Sequence, residues 1–146
     1  MKFQILAAGK PALAYAKKGI DEYLKRLTRY AKVDLRYRKA GDSESVSADL
    51  LAQSAGHFRI ALDERGELLD TARLVSHVND WEMRGDIKTI SFLIGASDGH
   101  TPALRQESDF LLALSPLTLQ HELALLVLLE QVYRVHTIKR GEPYHR

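Results

Sequence analysis

The run Ile90–Ile94, apolar but for Ser91, constrains this chain more than any other feature. Such a run is the pattern of a parallel strand covered on both sides, which requires helices above and below a sheet. It opens directly into Gly95-Ala96-Ser97-Asp98-Gly99, a loop rich enough in glycine to let backbone N–H groups approach a ligand. The rest of the chain alternates in the way this demands. Phe3–Ala8, Val33–Tyr37 and Phe58–Leu62 read as strands, the last closed by a turn around Glu64-Arg65-Gly66, and Leu111–Leu114 is a candidate fifth. Apolar spacings of three and four predict helices from Leu13 to about Tyr30, over Asp42–Ser54, over Asp70–Met83 and over Leu123–Ile138. The expectation is a single α/β domain over residues 1–146, an open, mostly parallel sheet with helices on both faces. Ligands of such sheets bind beyond the carboxyl ends of the strands, which singles out Asp63–Glu67, Gly95–Thr101 and Ser115–His121.

The last helix carries a second constraint. Apolar residues from Leu123 to Ile138 cover nearly its whole circumference, so it must be buried on all sides, either as a central core helix or as half of a subunit interface. Charge is segregated as well. Residues 1–39 carry a balance of +8, residues 40–131 of −9 and residues 132–146 of +3, within a total of +2. Two basic ends that converge in space form a patch for phosphates, whereas basic residues on an isolated amphipathic helix are only its wet face.

Several classes are excluded or unsupported. With no cysteine there is no disulfide scaffold, thiolate zinc site or cysteine nucleophile. The six histidines form no metal-ligand pattern; His57 and His77 read as surface or edge residues and His121 as a candidate cap of the last helix. No run approaches the roughly 20 apolar residues of a membrane span, and Met1–Gly9 is too short for a secretory signal, so a cytoplasmic location is expected. Neither a dinucleotide-binding nor a P-loop fingerprint is present. The tail, from Lys139 to Arg146, sets Tyr144, His145 and Arg146 side by side, offering stacking, proton transfer and anion contact where a disordered end is the default.

Taken together, Leu93-Ile94-Gly95 with Gly99, Leu119-x-His121, Leu129-Glu130-Gln131-Val132-Tyr133-Arg134 and Arg140-Gly141-Glu142-Pro143-Tyr144-His145-Arg146 resemble the small ribosomal methyltransferases of the SPOUT class. Phe3-Gln4-Ile5-Leu6-Ala7-Ala8-Gly9-Lys10 and Glu22-Tyr23 resemble that family too, so the likeness covers essentially the whole chain. The resemblance implies a C-terminal trefoil knot, S-adenosylmethionine as cofactor, a homodimer as the active unit, and methylation at N3 of a pseudouridine in large-subunit rRNA of the assembled ribosome. Carried over by position, it implies cofactor contacts at Leu62, Gly95, Leu114, Ser115, Pro116, Leu117, Thr118 and Leu119. His145 is then the candidate base, Arg134 and Arg146 stabilise charge on the base, and Tyr144 stacks on it. Gly95 is expected to need positive φ or close approach by the ligand. Ala96 departs from the family's second glycine and Gln120 from its proline. The rival readings are a non-catalytic ribosome- or rRNA-binding protein and a small-molecule enzyme of the doubly wound type.

Overall fold

The computed structural model describes residues Met1–Arg146 as five strands and five helices in alternation. The strands are β1 (Lys2–Ala8), β2 (Lys32–Arg38), β3 (Phe58–Leu68), β4 (Thr89–Ile94) and β5 (Phe110–Ala113). The helices are α1 (Ala14–Leu27), α2 (Ser43–Gln53), α3 (Thr71–Met83), α4 (Pro102–Glu107) and α5 (His121–Lys139). The sheet runs β2-β1-β4-β3-β5 and every pairing is parallel. β4 therefore lies at the centre, as its apolar run requires.

Alternation along the strands divides the core into two layers. Phe3, Ile5, Ile60, Ile90, Phe92 and Ile94 pack toward α1, α3 and α5, whereas Leu6, Ala61 and Leu93 pack with Val46 and Leu50 of α2 and Leu104 of α4. Burial of each such side chain stabilises the fold by about 1.5–3 kcal/mol. Ser91, the one polar residue in the β4 run, is buried on the α2 side. There its hydroxyl donates to Gln4 Oε1 at 3.0 Å and meets His57 Nδ1 at 2.7 Å, so its burial costs no unmade hydrogen bond. His57 stays half-buried at the edge, just ahead of β3, with its ring bonded to a core hydroxyl, and half-buried His77 packs against Trp81 and Phe110.

α5 lies between α1 and α3 on one face of the sheet, which accounts for most of its apolar circumference. Contact with α1 is close at Gly19, where a Cβ would stand 2.6 Å from a Leu126 methyl. The half-buried residues Leu123 and Val127 remain on its outer side. At its start, buried Glu122 accepts from the backbone N–H groups of Ala12 and Leu13 at 2.6 and 3.0 Å. Those bonds hold its carboxyl below the usual range and lock the start of α5 to the start of α1. The cap belongs to Gln120, not to His121: its side chain accepts from Glu122 N and Leu123 N.

β3 differs from expectation. The turn at Glu64-Arg65-Gly66 does not end the strand, because both Leu62 and Glu67 pair with Leu112 and the chain between them makes an excursion. Gly66 is what lets the excursion close against β5, since a Cβ there would lie 2.5 Å from the carbonyl of Leu111. Its φ is not positive; the glycine is required by space alone. Backbone cannot swing aside as a side chain can, so Gly66→Ala is expected to cost about 1–3 kcal/mol, read as a lowered urea midpoint. An unchanged midpoint would show that the excursion has room for a side chain at this position.

Candidate active site

Parallel strands deliver all their exits to one edge, and the cavity lies there. Its volume is about 580 Å3, and its walls are the β3 excursion, the loop after β4 and the segment between β5 and α5. These are the three segments singled out by their place after strands. Of the residues carried over by resemblance, Leu62, Gly95, Leu114, Ser115, Leu117, Thr118 and Leu119 line the cavity. Pro116 is exposed and does not.

Each wall is held by named bonds. Ser115 Oγ accepts from Leu117 N at 2.9 Å, shaping the turn ahead of α5. The loop after β4 is pinned to α2, with Ser43 Oγ donating to Gly99 O at 2.8 Å and Thr101 N donating to Ser47 Oγ at 3.1 Å. Gly99 takes φ +78° and closes a turn onto the carbonyl of Ala96. Ala96 keeps negative φ, so an alanine is accommodated where the family has glycine. Gly95 also lacks positive φ, and the close approach it permits is by the ring of His100, 3.1 Å from where a Cβ would stand.

Reading by motif missed His100 and Asp63. His100 is 7% exposed and lines the cavity between the ends of β3 and β4. Burial is the main cause that pushes its imidazole below the usual histidine range. The Asp63 side chain, 5% exposed, lies 3.7 Å from both Arg65 and Arg105, and Arg105 Nη1 donates to His100 O at 2.6 Å. No periodicity signals these residues, because strand-end loops far apart in sequence bring them together.

The candidate catalytic side chains gather elsewhere. Arg134 on α5 pairs with Glu130 at 2.6 Å and meets His145 Nδ1 at 3.1 Å, with its guanidinium 4.8 Å above the Tyr144 ring. Tyr144 stands edge-on to Tyr133, and its hydroxyl meets that of Tyr23 at 3.1 Å. Burial, followed by the Tyr23 contact, pushes the Tyr144 phenol up to about 12, so it is neutral at physiological pH. Arg146 is exposed. The basic ends do converge here, with Arg26 and Arg29 of the first segment and Arg134 and Arg140 of the last stacked around Tyr23, Tyr30, Tyr133 and Tyr144. Arg134 is nevertheless thirteen residues along α5 from His121, roughly 20 Å at 1.5 Å per residue. The chain therefore holds cavity and tail apart.

A family model described as "Predicted SPOUT methyltransferase" matches residues 1–145. The chain belongs to the SPOUT methyltransferase family. It is 48% identical over 146 residues to a Thermus thermophilus protein named ribosomal RNA large subunit methyltransferase H, covering 100% of this chain and 99% of that one. A Deinococcus radiodurans protein of the same name is 43% identical over 147 residues, covering 100% and 99%. In architecture this SPOUT chain is similar to the solved structure titled as a probable methylase family protein from Haemophilus influenzae Rd KW20. That match has a TM-score of 0.55 at 12% identity and covers 99% of this chain and 70% of that one, which speaks to fold alone. The parallel α/β architecture expected of the SPOUT family is the one observed.

Buried histidines make the fold acid-sensitive. His100 and His136 are both held below the usual value chiefly by burial, whereas the unfolded chain binds their protons near pH 6.5. Their folded values lie below their unfolded ones, so stability present above about pH 6.5 is lost as pH falls toward the folded values. Carboxylates such as Asp42 and Asp49, held low by their hydrogen bonds, act only at lower pH. Thermal denaturation from pH 7 to 5 is expected to show a falling midpoint. A flat profile would contradict the assignment.

Proposed function

We propose that this protein transfers a methyl group from S-adenosylmethionine to N3 of a pseudouridine in large-subunit rRNA, acting in the cytoplasm on the assembled ribosome as a homodimer. The observation that carries the reading is the convergence of the three strand-end loops on one cavity in a SPOUT chain. The names of its full-length relatives point to the same substrate class. The cavity fits a cofactor of this kind. Its volume lies within the roughly 300–1,000 Å3 of small-molecule sites, it combines apolar walls at Leu62, Leu114 and Leu119 with loop backbone, and it holds a buried unpaired nitrogen at His100.

Leu62, Gly95, Leu114, Ser115, Leu117, Thr118 and Leu119 hold the cofactor, largely through backbone groups that read conformation more than side-chain identity, and Pro116 stiffens the turn among them from outside the cavity. In the knot that family membership implies, these segments are tied together. The cofactor, when bound, supplies a methyl group already activated on a sulfonium. The chain's own tasks are alignment and proton handling, and orientation alone can contribute about 7–11 kcal/mol. Tyr144 stacks on the nucleobase, and Arg134 turns from His145 Nδ1 to the neighbouring carbonyls, where it and Arg146 stabilise charge, so that the freed Nδ1 of His145 takes the N3 proton. The cluster of Arg26, Arg29 and Arg140 around the tyrosines gives rRNA phosphates a positive surface. Because tail and cavity stand apart in one protomer, the tail serves the partner's cavity across an interface built on the outer side of α5.

Mass spectrometry of large-subunit rRNA from cells lacking the protein tests the reading, with loss of the N3-methyl mark expected. A pseudouridine that stays fully methylated would overturn it. The shared site makes its own prediction. Gly95→Val, which crowds His100, is expected to abolish cofactor binding, and deletion of Tyr144–Arg146 to abolish methyl transfer. When mixed and allowed to exchange subunits, the two variants are expected to regain partial activity. His145→Ala alone is expected to slow single-turnover methylation of ribosomes about 10²–10⁴-fold. Wild-type rates from the truncated chain would remove the tail from the chemistry.

A further inference from the structure

The ring of His100 is satisfied on one side only. Nε2 lies 3.2 Å from the carbonyl of Leu93, and since a carbonyl only accepts, Nε2 carries the proton and donates. Nδ1 is left as a bare acceptor, buried and without a partner. A buried acceptor without a bond costs more than the average bond contributes, so such an atom calls for a reason. The surroundings hold the ring in place. Arg105 donates to the backbone carbonyl of His100 from α4, and Asp63 faces the same cluster from the β3 excursion. Burial outweighs the opposing pull of Asp63 and of the Leu93 and Leu62 carbonyls and holds the imidazole below the usual histidine range, which favours a free lone pair on Nδ1. The Nδ1–Cε1 edge lies against the bare Cα of Gly95, and both residues line the cavity at the carboxyl ends of the central strands.

We infer that His100 is a ligand-binding residue of the cavity, its Nδ1 accepting a hydrogen bond from an O–H or N–H group of S-adenosylmethionine. The inference rests on the cofactor assigned under the proposed function and adds to it a side-chain contact where the family resemblance supplies backbone. The ligand offers ribose hydroxyl, adenine amino and ammonium donors, and a neutral imidazole suits any of them without repelling the sulfonium. Gly95 has a second meaning in this light, because any side chain there would stand between the ring edge and the ligand.

Two substitutions separate binding from packing. His100→Leu keeps apolar bulk and removes the acceptor, whereas His100→Asn keeps an oxygen near the position of Nδ1. Calorimetric titration with S-adenosylmethionine is expected to give roughly tenfold weaker binding for His100→Leu, with His100→Asn within about threefold of wild type. The thermal midpoint of His100→Leu without ligand is expected to stay near wild type, since the unpaired Nδ1 and the bond from Nε2 to Leu93 are lost together. In wild-type protein with ¹⁵N-labelled histidine, saturation with the cofactor is expected to move the Nδ1 resonance of His100 and leave Nε2 nearly still. Equal affinity in the wild type and His100→Leu, no advantage of Asn over Leu, or an unmoved Nδ1 resonance would each overturn the role of His100 while leaving the cofactor in place. Wild-type protein that binds no S-adenosylmethionine would overturn this role together with the proposed function.

Discussion

All five strands point the same way, and the rest of the molecule follows from that constraint. A parallel strand cannot return by a hairpin, so each connection must cross a face of the sheet and be covered by a helix. The chain therefore needs two apolar layers, and alternation of side chains along β1 and β4 supplies both. The same constraint gathers every strand exit at one edge. The excursion in β3, the loop after β4 and the segment before α5 have no sequence proximity, yet they form one wall-to-wall cavity.

α5 links that edge to the tail. Gln120 caps its start beside the cavity, Glu122 fastens it to α1, and Arg134 lies far along it among the tyrosines. A helix of 19 residues is a rigid spacer, so cavity and tail are held apart by construction. The architecture separates the cavity from the cluster of Tyr144, His145 and Arg134 within one chain. Lys17, Lys18 and Lys25 are the solvated face of α1, whereas Arg26 is more than that. Arg26 and Arg140 come from opposite ends of the chain and stack on neighbouring rings of one aromatic cluster.

What was legible in the sequence was legible through period. The run Ile90–Ile94, the spacing of three and four in α1 and α3, and the apolar circumference of α5 each report a local geometry, and the structure has all of them. The three loops around the cavity were legible because their positions follow from strand ends. α4 escaped notice since six residues are too few for a helical period to register, although Thr101 caps it and Pro102 opens it. The β3 excursion escaped because it is defined by register against β5, and Gly66 owes its place to the backbone of Leu111. His100 and Asp63 lay inside the three loops, but their burial was not legible for a related reason, as it is decided by chain segments that no window contains. Resemblance, not period, pointed to the tail, and the structure then gave that tail partners.

The register of β1 sets a schedule for synthesis. β1 spans residues 2–8, yet its central neighbour β4 begins at residue 89, and the carboxylate that fastens α1 belongs to Glu122. At about 5–20 residues per second, a growing chain takes roughly 4–16 s to supply β4 after β1 has emerged. Through that interval β1 and β2 can pair, but the inner edge of β1 stays open with its backbone groups unpaired. A strand in that state is a template for any other extended segment nearby. The sheet is thus complete only once β5, Phe110–Ala113, has been made, and the helix that seals its main core arrives last.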